Sequence, residues 1–257
     1  LRHYISSEVE EELQVYCLVP LLNRASIHTN TAGVFKGFYK DSDGVGKFGG
    51  QGENALTRIM SPIKVDMPIW NTNNEYECFC YNQDINSLVK TLDDDLDVIY
   101  LDPPYNQHPY GSNYFMLNLI AENQVPENIS SVSGIPPNWK RSAYNKNTDS
   151  KESMKELIKE SLKKSKYVLL SYNDEGFIKE NDWNEILSGY TIEKKEITYD
   201  TYKGSRNLKN RSDKVMEIMY LISLPTESSL SSSPPSSSPP VSIEIEPEQN
   251  NEKESES

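Results

Sequence analysis

The spacing of apolar residues along this 257-residue chain alternates between the period of a helix and that of a buried strand. Apolar positions three and four residues apart are typical of amphipathic helices, and they predict helices at residues 8–19 and 86–91, within 110–123, and at 150–165. Short apolar runs predict strands at residues 77–81, 97–101, 167–172, 190–199 and 215–224. We expect the last two to form an antiparallel pair joined by a basic loop. Alternating helices and strands indicate an α/β domain.

Two of the predicted helices have informative details. In the first, Pro20 is expected either to end or to kink the helix, because proline has no backbone N–H to donate. In the fourth, Ser150 is a candidate N-cap. Its core-facing positions are Met154, Leu157, Ile158 and Leu162. Its charged residues predict the ion pairs Glu152–Lys155 and Glu156–Lys159 on a solvated face.

Two stretches lack this periodicity. Residues 29–54 are loop-rich and carry seven glycines between Gly33 and Gly52. Residues 226–257 are rich in serine and proline and then in glutamate, so they cannot bury enough apolar surface to fold. We therefore expect one folded domain over residues 1–225 and a disordered acidic tail over residues 226–257.

The net charge of the chain is −13. Seven glutamates and one lysine in residues 226–257 contribute −6, which leaves −7 for the rest of the chain. A nucleic-acid partner would therefore have to bind local basic patches, because the overall field is negative.

Cysteine content and hydropathy indicate the redox compartment and whether a metal or a membrane is expected. Cys17, Cys78 and Cys80 do not form a disulfide framework, and no histidine cluster accompanies them as a zinc site would require. We expect three reduced thiols in a cytosol-like compartment and no bound metal. No apolar stretch approaches the roughly 18 residues that span a bilayer, so no membrane partner is expected. The chain begins with Leu1 instead of Met, and we expect a fragment whose start is missing.

The strongest chemical signal is Asp-Pro-Pro-Tyr at residues 102–105, directly after an apolar run. Proline cannot donate to a sheet ladder, so the strand should end there, at the edge where open α/β sheets bind ligands. Asp102 and the carbonyl of Pro103 would accept the hydrogens of an aromatic amine and so localise its lone pair. Tyr105 could stack on the ring of that amine. The alternative is a simple turn after a strand.

The tetrad continues into Asn106-Gln107, and Tyr-Gly-Ser-Asn-Tyr follows at residues 110–114. This stretch resembles the catalytic motif of adenine-specific DNA methyltransferases of the Dam-like class. Residues 30–35, 49–56 and 199–208 are similar to other segments of such enzymes, and the resemblance covers about residues 13–223. It implies a Rossmann-like methyltransferase fold that uses S-adenosylmethionine, with four catalytic residues: Asp102, Pro103, Pro104 and Tyr105. Double-stranded DNA would be the substrate, with the target base flipped out of the duplex.

The resemblance also implies a cofactor site. Asp102 would lie where S-adenosylmethionine and the base meet, and Asp84 resembles the acid that contacts the cofactor's adenine amino group. The alternative for Asp84 is an N-cap of the next helix. Family members carry Phe-x-Gly-x-Gly after their first strand. Residues 48–52 match this pattern, but no apolar strand precedes them, so we interpret them as a surface loop. We expect a partial catalytic domain that lacks the first strand and glycine-rich loop, which would precede Leu1.

A basic cluster near the end of the domain is expected to bind DNA phosphates. Its members are Lys203, Arg206, Lys209, Arg211 and Lys214. The alternative is an ordinary solvated hairpin loop. Lys140 and Arg141 would add to the basic surface, and residues 171–173 would line the base pocket. His108 is expected to be a loop residue instead of a catalytic base.

These observations predict a site-specific methyltransferase that transfers the methyl group of S-adenosylmethionine to the N6 amine of adenine in DNA. It would act in the cytoplasm, within a restriction–modification system that includes a restriction endonuclease for the same site. Two alternatives stay open: an RNA adenine methyltransferase built on the same tetrad, and an inactive nucleic-acid-binding remnant.

Overall fold

The computed structural model describes residues 1–26, 39–40, 46–47, 56–69, 75–130, 135–201 and 212–225. The glycine-rich match at 48–52, the basic residues at 203–211 and the predicted tail at 226–257 lie outside the described residues. The predictions for these segments, and for the boundary between domain and tail, stay predictions.

Eight helices occur in the described part of the chain. They are α1 (Arg2–Glu8), α2 (Glu11–Ala25), α3 (Leu56–Met60), α4 (Ile85–Leu88), α5 (Tyr110–Asn113), α6 (Phe115–Glu122), α7 (Asn147–Lys164) and α8 (Glu180–Ile186). Short 3₁₀ turns cover Val89–Thr91 and Ala143–Asn145. The strands there are β1 (Tyr39–Lys40), β2 (Gly46–Lys47), β3 (Leu96–Leu101), β4 (Ser165–Asn173), β5 (Thr191–Asp200) and β6 (Lys214–Ser223).

The main sheet has four strands in the order β3-β4-β6-β5. β3 and β4 are parallel, with Leu101 opposite Leu170, so both strands end at the same edge. β6 is antiparallel to β4 and to β5, which confirms the predicted antiparallel pair. Together with the helices that alternate with it, this sheet confirms the α/β class. Val98 and Tyr100 on β3 are more than half exposed, and no strand of the described residues pairs with the outer edge of β3.

The core lies between one face of the sheet and the helices α7 and α8. Met154, Leu157, Ile158 and Leu162 are all buried there, as their spacing predicts. The ring of Trp183 on α8 lies 4.9 Å from the ring of Tyr172 and 5.2 Å from that of Tyr220, measured between centroids. These aromatic contacts, which are favourable at such distances, connect α8 to strands β4 and β6.

The N-terminal helices differ in detail from the prediction. α2 runs through Pro20 to Ala25 instead of ending at the proline. An additional helix, α1, precedes it. Arg2 on α1 donates hydrogen bonds to the carbonyls of Ile120 and Ala121, so this helix is attached to the end of α6.

The strand predicted at residues 77–81 is wrong. The structure has no strand there, and Phe79 and Tyr81 are largely exposed. A strand needs a partner to complete its hydrogen-bond ladder, and this short apolar run has none among the described residues. The helix predicted after it is confirmed as α4 and its following turn. The helix predicted within 110–123 is divided at Tyr114 into α5 and α6.

Ser150 is not an N-cap. α7 begins at Asn147, and the N–H of Ser150 already donates to the carbonyl of Lys146, so the helical ladder includes this serine. The predicted pairs within the helix are also wrong. Glu156 pairs with Lys90 at 2.6 Å and Lys155 with Glu185 at 3.7 Å, because the neighbouring elements bring opposite charges closer than the helix itself does.

Cys17, Cys78 and Cys80 are free thiols. None of the helices in the described part of the chain combines the length and the apolar character needed to cross a membrane.

The position of Ile158 in the core predicts that Ile158→Ala strongly destabilises the domain. Ile158 is fully buried, and cutting it back should lower the free energy of unfolding by about 2–5 kcal/mol because a cavity remains. Urea unfolding followed by circular dichroism measures this change. The matched control is Ile69→Ala at a fully exposed position, which should change stability by less than about 0.5 kcal/mol. Equal losses in the two variants would contradict the assigned core.

Candidate active site

The tetrad lies at the carboxyl end of β3, where the predicted strand break occurs. Leu101 is the last residue of the strand and is buried, whereas Asp102 is exposed. Pro103 is buried behind it, and the Pro103 carbonyl accepts no hydrogen bond from any described residue. The strand end therefore holds a carboxylate and a carbonyl oxygen without a donor among the described residues, the two acceptors that an amine-binding site requires.

Asp102 faces a cavity of about 1070 Å³. Other residues that line this cavity include Asp84, Tyr110, Tyr114, Trp139 and Arg141. The rings of Tyr110 and Tyr114 lie 5.8 Å apart between centroids. Burial raises the pKa of the Tyr110 hydroxyl, and the nearby Asp102 carboxylate raises it further. The structure thus brings Asp84 and Asp102 to one cavity with an aromatic lining.

Asp84 caps α4. Its Oδ1 accepts hydrogen bonds from the backbone N–H of Ser87 at 3.1 Å and from the Ser87 hydroxyl at 3.3 Å. The N-cap interpretation is therefore confirmed. Oδ2 makes no hydrogen bond within the described residues, and Asp84 is exposed. The cap fixes the carboxylate at the cavity and leaves one oxygen for a ligand, so capping and ligand binding are compatible.

Tyr105 points away from that cavity lining. Its ring packs edge-on against Tyr172 at 6.1 Å between centroids, and its carbonyl accepts the N–H of Phe177 at 2.9 Å. Burial raises the pKa of its hydroxyl, with smaller contributions from Tyr199 and Glu217. The tetrad therefore contributes to two surfaces: Asp102 to the cavity, and Tyr105 to the ends of β4, β5 and β6.

The second surface contains a hydrogen-bonded group around Glu217. Ser171 donates to its carboxylate, and Asn173 donates to the Tyr199 hydroxyl at 3.1 Å. Tyr172, between them in sequence, points into the core. The sequence analysis placed residues 171–173 near the base but missed Glu217. Glu217 could have been recognised as the one acid among the apolar residues of β6.

The cations predicted to contact DNA divide into residues that the structure describes and residues that it does not. Lys203, Arg206, Lys209 and Arg211 lie outside the described residues. Lys214 begins β6 and pairs with Asp200 at 2.6 Å, so its charge is partly neutralised. Lys140 donates to the side chain of Asn82 at 3.0 Å, and Arg141 stacks 3.9 Å above the ring of Trp139.

His108 lies in the loop after the tetrad, as expected, and its N–H donates to Asn106 Oδ1 at 3.0 Å. Tyr110 and Trp139 were missed as cavity residues. Tyr110 could have been proposed from its position shortly after the tetrad. Trp139 gives no such signal, because it is distant from the tetrad in sequence.

The mixed sheet, with a parallel strand that ends in Asp-Pro-Pro-Tyr beside the cavity, agrees with the predicted Rossmann-like methyltransferase fold. The family described as D12 class N6 adenine-specific DNA methyltransferase matches residues 22–201. The chain belongs to this family.

Individual relatives are similar over much of the chain. It is 28% identical to the modification methylase StsI of Streptococcus sanguinis over 80% of the chain and 29% of that protein. It is 25% identical to the type II methyltransferase M.NlaIII of Neisseria lactamica over 83% of the chain and 59% of that protein. It is 33% identical to the type II methyltransferase M.FokI of Planomicrobium okeanokoites over 51% of the chain and 19% of that protein. The chain thus spans less than two thirds of the length of these relatives. No solved structure matches it.

The contribution of the Asp84 cap to stability can be tested by substitution. Asp84→Ala should lower the free energy of unfolding by about 1 kcal/mol, because the cap of α4 is lost. Asp84→Asn keeps a side-chain oxygen for the cap and should stay within about 0.3 kcal/mol of the wild type. Urea unfolding measures both variants. Equal destabilisation by the two substitutions would show that the charge, and not the cap, stabilises this end of the helix.

Proposed function

We propose that this chain holds an adenine base of double-stranded DNA and directs a methyl group from S-adenosylmethionine to its N6 amine. The observation that carries the proposal is the strand end of β3. There, the Asp102 carboxylate and the Pro103 carbonyl are both free of protein donors among the described residues. An exocyclic amine has two hydrogens and therefore matches two acceptors.

The chemistry assigned to these residues is positioning and electrostatic stabilisation. The amine is a poor nucleophile because its lone pair is delocalised into the ring. Asp102 and Pro103 would accept its two hydrogens, which turns the lone pair out of the ring plane. The carboxylate also stabilises the positive charge that develops on the nitrogen during transfer. The proton then leaves to water, so no separate base is needed and His108 has no catalytic role.

The cavity suits the cofactor. Its volume of about 1070 Å³ lies just above the range of ~300–1,000 Å³ typical of small-molecule sites. Asp84 Oδ2 would accept from the adenine amino group of S-adenosylmethionine, and Tyr110, Tyr114 and Trp139 provide apolar ring surface. When bound, S-adenosylmethionine supplies the electrophilic methyl group.

The target base would enter from the side of Tyr105. Tyr105 is partly exposed, and stacking of a flipped base on its ring would contribute ~1–3 kcal/mol. Lys203, Arg206, Lys209 and Arg211 would bind phosphates beside the flipped base. Lys140 and Arg141 at the cavity are further candidates for phosphate contacts.

We also propose a cellular setting. Relatives of this chain are called modification methylases and type II methyltransferases, and modification protects DNA from a nuclease of the same specificity. The protein would therefore act in the cytoplasm as a site-specific adenine DNA methyltransferase, together with a restriction endonuclease for the same site.

Asp102→Ala should abolish methyl transfer while it leaves DNA binding largely in place. Removal of one charge-stabilising acceptor is expected to lower the rate by about 10³-fold. Transfer of a labelled methyl group from S-adenosylmethionine to duplex DNA measures the rate, and a mobility shift measures DNA affinity. Asp93→Ala, at an exposed acid before β3, is the matched control and should keep both properties.

Three outcomes would overturn parts of the proposal. Retained transfer in Asp102→Ala would contradict the mechanism. Transfer to RNA but not to duplex DNA would favour an RNA methyltransferase. DNA binding without cofactor binding or transfer in the wild type would indicate an inactive remnant.

Tyr105 should act through its ring and not through its hydroxyl. Tyr105→Phe keeps the stacking surface and should keep the transfer rate within about threefold. Tyr105→Ala should lower the rate by about tenfold or more, since ~1–3 kcal/mol of stacking is lost. The same labelled-methyl assay compares them, and thermal unfolding checks that the contact with Tyr172 is not essential for folding. A large loss in Tyr105→Phe would contradict the stacking role.

A further inference from the structure

Residues 139–145, which we call the bridging segment, form one wall of the cavity and pass over the start of α5. The backbone contact there is very close. A Cβ atom added to Gly111 would lie 2.6 Å from the carbonyl oxygen of Lys140. Only glycine allows this approach, so the bridging segment is held tightly against the helix that follows the tetrad.

One end of the bridging segment is bonded to the Asp84 side of the cavity. The buried Tyr144 hydroxyl donates to Asn86 Oδ1 at 2.6 Å. Asn86 in turn donates to the carbonyl of Ser153 at 2.9 Å. Burial, together with the carboxylates of Asp84 and Glu156, raises the pKa of Tyr144. Asn86 lies on α4, two residues after its cap Asp84, so the hydrogen bond from Tyr144 holds the first turn of the helix that this cap begins.

Asn145, the next residue, is hydrogen-bonded to the loop that follows the tetrad. The amide of Asn145 donates to the carbonyl of Asn106 at 2.8 Å. Asn106 directly follows Tyr105, and its own side chain accepts the N–H of His108. Asn145 therefore holds the loop that leaves the tetrad.

Tyr144 and Asn145 belong to the same 3₁₀ turn, Ala143–Asn145, which Ser142 caps by accepting the N–H of Tyr144 at 3.2 Å. Two adjacent residues of one short rigid element thus hold the two sides of the cavity. Neither side chain needs to touch a ligand to have this effect.

We propose that Tyr144 and Asn145 are positioning residues that set the separation of Asp84 from Asp102. The proposal rests on the function proposed above, in which Asp84 binds the cofactor and Asp102 binds the target amine. Tyr144 then controls cofactor affinity, and Asn145 controls the transfer step. Adjacent residues would therefore give different kinetic defects, which a purely structural role would not produce.

The kinetic experiment compares Tyr144→Phe with Asn145→Ala in the full chain. Loss of one hydrogen bond in each, at ~1.5 kcal/mol, corresponds to about tenfold. Tyr144→Phe should raise the KM and the Kd for S-adenosylmethionine about tenfold and keep kcat within twofold. Asn145→Ala should lower kcat about tenfold and keep that Kd within twofold. Tyr167→Phe and Asn184→Ala, at exposed positions on β4 and α8, are the matched controls.

Amide hydrogen exchange provides a readout that does not depend on catalysis. Tyr144→Phe should speed exchange in residues 84–91, and Asn145→Ala should speed exchange in residues 106–110, with no change elsewhere. Exchange that rises throughout the domain in either variant, or equal effects of both variants on KM and kcat, would overturn the proposal. If the wild type neither binds the cofactor nor transfers a methyl group, the proposed function fails. The exchange pattern then decides by itself whether the bridging segment holds the two sides of the cavity.

Discussion

The parallel pairing of β3 with β4, and its abrupt end at two prolines, is the constraint on which the site depends. The ladder places Leu101 opposite Leu170 in the core, so the next residue, Asp102, must leave the sheet. Neither Pro103 nor Pro104 has an N–H to donate to a ladder, and the Pro103 carbonyl accepts no hydrogen bond from a described residue. The end of β3 thus presents two acceptors to the cavity at a fixed position.

The same core also holds Tyr105, the last residue of the tetrad. Tyr105 contacts Tyr172, whose ring contacts Trp183, which in turn contacts Tyr220. This row of rings connects the tetrad to strands β4 and β6 and to helix α8. The position of the Tyr105 ring is therefore set by packing in the domain core, while the surface that it shares with Tyr199 and Glu217 stays polar.

Sequence patterns predicted the elements whose own residues determine them. Apolar runs located β3, β4, β5 and β6, and helical spacing located the buried face of α7. The predictions were wrong where the structure depends on contacts with another element. The run at residues 77–81 finds no strand partner, and Glu156 pairs with Lys90 on another element instead of with Lys159. Tyr144 and Trp139 could not be recognised because their contacts join segments that are far apart in sequence.

Under the proposed function, the two surfaces of the tetrad also account for how an acidic chain would act on DNA. The carboxylates of Asp84 and Asp102 both line the cavity, where the proposed cofactor and target amine would need acceptors. A phosphate backbone would be repelled by these charges at close range, which favours entry of a single flipped base over approach of the intact duplex. Local cations then need only hold the backbone at the rim, and the negative net charge of the chain is no obstacle to such a site.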